Sequence, residues 1–357
     1  MTHKYDKPAD ITAVQAKMEA QKIAFSAITF EAAVSMLRLE ILRAVSDAGK
    51  NGIGAAELSG QLGLSEYGIQ VLLDMGLTMR LVWKSDDRYV LDKTGHFLLE
   101  DSMSQINVNF AQDVCYEAMG HLMSSIKNGT PEGLKVFGDW PTIYRGLPYL
   151  PEPAKSSWFA FNDFYSKSAF TQALPIVFES KPTRLLDVGG HLGAWAFRCI
   201  EYDPDVRVTI ADLPEQAASA RQIIEHRDAQ GRIDTYEMDL LDPQMQFPDG
   251  ADAIWMSQLL DCFSEAQIAE ILQHAAASMQ PGDSLYVLEL FWDCQEFDVG
   301  AYSINATSLY FTCIANGVSR MYHSRDIIAI AEEAGFVVSA QHDGLGIGHS
   351  LLHLKKA

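Results

Sequence analysis

The chain has 357 residues, 48% of them hydrophobic and 21% charged, enough for roughly two domains with sizeable cores. Its 47 acidic and 27 basic side chains leave a formal charge of −20, which repels phosphate backbones and anionic lipid, so neither nucleic acid nor a membrane surface is an expected partner. The opening MTHKYDKPAD lacks the apolar core of a signal peptide, and no run of about 18 apolar residues is present to span a bilayer; the expectation is a cytoplasmic protein.

The first half reads as consecutive helices. Apolar residues recur at helical spacing from Ile23 to Ser46, and the pattern ends near Gly49. A short helix, a turn at Gly63, a second helix capped by Ser65 and two strands flanking Asp86-Asp87 follow. That order is a winged helix-turn-helix. It has two readings, a DNA-reading module or a structural or dimerising one. Between Gly60 and Met79 the chain carries Glu66 and Asp74 but no Lys or Arg, so the second helix has no cation with which to contact phosphate. The dimerising reading is preferred.

Residues 129–153 are rich in Pro and Gly and read as an irregular connector, which ends a first domain spanning 1–155. A helix near Trp158–Phe178 opens a second domain, 156–357. From Thr183 onward, apolar strands alternate with helices: RLLDVGG, VRVTIADLP, IDTYEMDLL, DAIWMSQLL and SLYVLELF. This is an α/β pattern, a parallel sheet with helices on both faces, whose ligands bind at the carboxyl ends of the strands.

At the first strand end stands Asp187-Val188-Gly189-Gly190-His191-Leu192-Gly193. The dinucleotide fingerprint fails because Val188 takes its first glycine position. An acid here suits a ligand with an ammonium group better than a pyrophosphate. Asp212 ends the second strand, where a carboxylate can take a ribose diol. Asp239 closes the third, with Leu240 placed to lie along an adenine.

Together these motifs resemble the class I S-adenosylmethionine (SAM)-dependent small-molecule O-methyltransferases of plant phenolic, acetylserotonin and bacterial pigment pathways. The resemblance runs through the winged-helix domain, DVGGxxG, ADLP, DAIWMSQLLDCFSE, PGDSLYVLE and the late AGF. It implies a Rossmann-like SAM methyltransferase sheet behind an all-helical winged-helix dimerisation domain, a homodimer, and SAM as cofactor with S-adenosylhomocysteine as product. It places the cofactor contacts at Asp187, Gly189, Gly190, Gly193, Asp212, Leu213, Asp239, Leu240 and Ser257. His191 stands where the family has a small residue.

The family's catalytic His, a general base for the acceptor hydroxyl, aligns with Asp261. Cys262 and Phe263 align with the Asp and Trp that follow it. Its two supporting acids align with Glu289 and Ser319. An unperturbed Asp is a weak base for a phenol, but a neighbouring carboxylate in an apolar pocket raises a pKa and improves the match. Asp261 and Glu289 are therefore the candidate catalytic pair. Two alternatives stay open: Asp261 as a mere cap of the helix near Ser264, and carbon or nitrogen rather than oxygen methylation. A SAM-fold protein with another activity or none, and a winged-helix regulator, are competing functions.

By resemblance Tyr165 lines the acceptor site. By position Asn305, Tyr310 and Phe311 join it, with Phe263 as a further candidate; the aromatic stretch fits a flat acceptor. The five cysteines are scattered and odd in number, with no C-x-x-C pair, so neither a disulfide framework nor a zinc site is read. His323, His349 and His353 are left without a role, and no metal is expected.

Overall fold

The computed structural model describes Tyr5 and residues 7–357. Part of the amino-terminal stretch read for a signal peptide lies outside the described residues. Two compact units emerge, one reaching Val114 and the other running from Cys115 to Ala357.

In the first unit, the long helical pattern is three helices, Ala13–Ala24, Ser26–Arg38 and Ile41–Asp47. The break before the third falls at Glu40, which takes a left-handed φ of 60°. Helices Ala55–Leu62 and Glu66–Thr78 follow; Ser65 caps the second by accepting from the Gly68 amide. Strands β1 (Val82–Ser85) and β2 (Arg88–Leu91) pair antiparallel. Asp86 and Asp87 turn between them, both at positive φ as a tight two-residue hairpin requires. This hairpin makes the unit mainly helical rather than all-helical, because the β-branched and aromatic residues around the turn favour pairing over a further helix. Met36, Ile41, Leu42, Leu58, Ile69 and Leu73 form its core.

In the second unit, seven strands form one sheet: β3 (Arg184–Val188), β4 (Arg207–Asp212), β5 (Ile233–Glu237), β6 (Ala253–Ser257), β7 (Ser284–Glu289), β8 (Phe336–Leu345) and β9 (His349–Lys356). Their spatial order is β5-β4-β3-β6-β7-β9-β8. The first five are parallel, as alternating strands and helices dictate, and the β8–β9 hairpin closes the edge antiparallel. Each face is covered: Trp195, Trp255, Tyr286 and Leu351 pack on one side, Met256, Ile271, Val287 and Leu354 on the other. Fully burying such side chains contributes roughly 1.5–3 kcal/mol each, which fixes the sheet as a rigid platform. The strand order reverses beside β3, so ligands are drawn to the carboxyl ends of β3 and β6.

Residues 115–153, read from sequence as a connector closing the first domain, belong to the second compact unit. Short helical turns at Glu132–Val136 and Ile143–Gly146 bury Leu134, Ile143, Leu147 and Leu150. Gly133 lies so close to Cys313 and the Ala118 carbonyl that a β-carbon there would meet both within 3 Å. Among the described residues no helix is long and apolar enough to cross a membrane.

Candidate active site

Asp187 is the penultimate residue of β3, 2% exposed. Burial, with Asp212 adding charge repulsion, pushes its carboxyl up to about 8. Its Oδ2 is buried with no hydrogen-bond partner among the described residues. Gly189 follows at φ 72° and Gly190 sits against the carboxylate, where a β-carbon would come within 2.5 Å of Oδ2. Only glycine leaves that space open. Gly193, at φ 81°, then caps helix Ala194–Tyr202.

Asp212 ends β4 and organises this turn. One oxygen accepts from the His191 amide at 2.9 Å and the other from Leu213 at 2.7 Å. Burial raises its pKa, and the two amides oppose the shift. His191 is half-buried at φ 49°, and burial lowers its pKa. Asp239 lies two residues beyond β5 rather than closing it; its Oδ1 accepts from the Leu241 amide, and Leu240 is half-buried against the core. Ser257 ends β6 with its Oγ buried and without a hydrogen-bond partner among the described residues. Unsatisfied polar atoms of this kind are uncommon in folded proteins and mark places where a ligand completes the hydrogen bonding. An acid facing an amino group, an opened glycine turn and a second acid for a diol fit SAM.

Arg145, unmarked in the sequence, reaches Asp239 at 3.0 Å and Glu215 at 3.4 Å from the short helix Ile143–Gly146. Its neighbour Tyr144 faces the other way, toward Cys262, Tyr310 and Asp261, and burial pushes its phenol well above the usual value. Among the described residues the buried Tyr144 hydroxyl has no hydrogen-bond partner beyond the Cys262 thiol beside it.

Asp261 sits in a single helical turn, Leu260–Cys262, directly after β6, and is 6% exposed. It caps no helix: Ser264 caps Glu265–Ser278 in a reciprocal box with Gln267. Burial lifts the Asp261 carboxyl to about 6, opposed by the Cys262 thiol, which donates at 3.4 Å. Glu289, the last residue of β7 and 3% exposed, is held well above the usual carboxylate range by burial and by Asp261. Its Oε1 accepts from the amides of Leu259 (3.0 Å) and Leu260 (2.9 Å), so it braces the turn that carries Asp261.

Ser319 does not reach Asp261. It bonds to Asn316, whose amide also donates to the Cys262 carbonyl at 2.9 Å. The Tyr322 hydroxyl donates to the Phe263 carbonyl at 2.5 Å. The turn is thus held from three sides, and neither Asn316 nor Tyr322 carried a motif that would have singled it out.

The acceptor candidates divide. Phe263 is half-buried beside Asp261, and Tyr310 is buried with its hydroxyl accepting from Trp158 Nε1 at 2.7 Å. Phe311 is buried and packs on Tyr310. Tyr165 is half-buried against Phe161 and Phe164. Asn305 is exposed, because the helix Asp298–Tyr310 turns that face outward. His323 caps Ser324–Glu333 and pairs with Asp293, while His353 stacks on Tyr286; His349 is fully buried and pushed down to about 4. Among the described residues no His/Cys/Asp/Glu cluster could hold a metal.

Comparison with known proteins bears on both units. Residues 167–337 match the family model of the O-methyltransferase domain, and residues 17–89 match that of the Dimerisation2-like domain. A 3-hydroxy-5-methyl-1-naphthoate 3-O-methyltransferase from Streptomyces sahachiroi is 27% identical over 67% of this chain and 68% of its own length. Human acetylserotonin O-methyltransferase is 23% identical over 64% and 67%. The solved structure of the methyltransferase SibL superposes with a TM-score of 0.72 at 20% identity, covering 94% of this chain and 98% of that one.

Proposed function

We propose that this chain, whose residues 167–337 match the O-methyltransferase domain, is a SAM-dependent O-methyltransferase that methylates a hydroxyl of a small aromatic metabolite with Asp261 as the base. The observation that carries this reading is the buried Asp261 carboxylate, lifted toward neutrality at the strand end beside the cofactor turn.

SAM, when bound, supplies a methyl group on a sulfonium, whose leaving group is already activated. Asp187 would hold the amino group and Asp212 the ribose diol; Gly189 and Gly190 would let the backbone approach, and Leu240 would lie along the adenine. Ser257, Leu213 and Asp239 complete this half of the site. On the acceptor side, Tyr165, Phe263, Tyr310 and Phe311 hold a flat ring. With SAM bound, Asp261 would take the proton of the acceptor hydroxyl, whose oxygen would receive the methyl group that the sulfonium supplies. Because the leaving group is activated, positioning and exclusion of water supply much of the rate. Glu289 acts through the Leu259–Asp261 amides, as a positioning residue.

The dimerisation-like first domain supports a homodimer. The absence of Lys and Arg from Gly60 to Met79 supports a module that does not read DNA. We place the enzyme in the cytoplasm, in secondary metabolism like its bacterial relatives. The test is incubation with methyl-labelled SAM and an extract of the source cells. A labelled small aromatic supports the reading; binding of SAM with no label transferred across varied extracts contradicts it.

A further inference from the structure

We propose that the acceptor is a hydroxyarene bearing a basic nitrogen and no carboxylate, with its polar edge turned to Asp261; this rests on the methyl-transfer reading above. Among the described residues, the Asp261 carboxylate has one hydrogen-bond donor, the weak Cys262 thiol at 3.4 Å, although the side chain is more than nine-tenths buried. A buried carboxylate with so little support is a site lacking its partner.

That partner does not come from the surrounding elements. On the short helix 143–146, Arg145 is engaged by Asp239 and Glu215. On helix 154–167, Lys155 donates to the Pro148 carbonyl and Lys167 pairs with Asp163. Helix 298–310 and the turn 258–264 contain no Lys, Arg or His. Arg320, in the loop after 315, is held by Glu265 and Asp326 and lies over Tyr322, while His323 pairs with Asp293. The groups that do face Asp261 are Glu289, Cys262 and the phenols of Tyr144, Tyr310 and Tyr322.

A carboxylate on the acceptor would be stripped of water against two acids with no counter-charge. A protonated nitrogen gains on two counts: it meets the ionised Asp261 carboxylate, and the −20 net charge favours its approach. The relatives that methylate a naphthoate or an aminohydroxybenzoate handle the opposite charge.

The test is calorimetry of the protein, alone and loaded with S-adenosylhomocysteine, with three probes on one frame: an aminomethyl-naphthol, naphthol and a hydroxynaphthoate. The amine is expected to bind at least about tenfold more tightly than the acid, with naphthol between them. Asp261→Asn, which keeps the shape, is expected to compress that order while leaving the affinity for S-adenosylhomocysteine unchanged. Equal or tighter binding of the acid by wild type, or no binding of any probe, overturns the inference. If the amine preference holds but S-adenosylhomocysteine does not bind, the methyl-transfer reading fails and the acceptor assignment falls with it; if S-adenosylhomocysteine binds but the amine preference is absent, the acceptor assignment alone fails.

Discussion

Glu289 reaches from the end of β7 to the amide of Leu260, which donates to its Oε1 at 2.9 Å, with the Leu259 amide donating to the same oxygen. Two carboxylates that share the end of the sheet thus differ in task. One is spent on the backbone of the turn; the other is carried by that turn.

Replacing Glu289 by Ala leaves buried amides unpaired and is expected to cost roughly 2–4 kcal/mol, against about 1 kcal/mol for Gln, which keeps an acceptor. The pH dependence has a definite sign. Because the folded-state pKa is raised, the folded protein holds a proton that the unfolded chain releases above about pH 4.3, so this residue's contribution falls as pH rises. Urea melts at pH 5 and pH 8 should show the stability gap between wild type and Glu289→Gln shrinking with pH; a gap that widens contradicts the assignment.

Burial pushes the Asp187 carboxyl up to about 8, so it is expected to hold its proton at pH 7. A ligand ammonium placed against it favours the ionised form. Binding of S-adenosylhomocysteine at pH 7 is therefore expected to release about one proton, and much less at pH 9, where Asp187 is already ionised. Titrations in buffers of different ionisation enthalpy measure this directly. Asp187→Asn should abolish the release and weaken binding at least about tenfold.

Tyr144 offers the converse case, a buried hydroxyl with no oxygen or nitrogen partner among the described residues. Tyr144→Phe is expected to change stability by less than about 1 kcal/mol while raising the acceptor KM several-fold. A thermal melt together with steady-state kinetics separates this from a structural role, which would lower the melting temperature and leave KM alone.

Much of this arrangement was legible in the sequence. The strands that carry Asp187, Asp212 and Ser257 at or next to their ends follow from apolar runs closed near a polar residue, and the glycine turn from local chemistry. The β8–β9 hairpin was not read, since HSLLHLKK is apolar on both faces and shows no alternation. Tyr144 and Arg145 were hidden in a Pro- and Gly-rich stretch, and the ion pairs of Arg145 reach 70 and 94 positions along the chain. The partnership of Asn316 with the Cys262 carbonyl spans 54 positions and carries no local signal. Asn305 was placed by position along its helix, but which face turns outward is decided by packing.

The central claim, that Asp261 is the base of the methyl transfer, is tested most directly by transfer of labelled methyl from SAM to the aminomethyl-naphthol between pH 5 and pH 9. In wild type, kcat/KM should rise through about pH 6, as Asp261 ionises, and then level. Asp261→Asn should lose about 10²–10⁴-fold in kcat and show no limb near pH 6, while still binding S-adenosylhomocysteine. A variant with full activity and an unchanged profile would remove Asp261 from the mechanism.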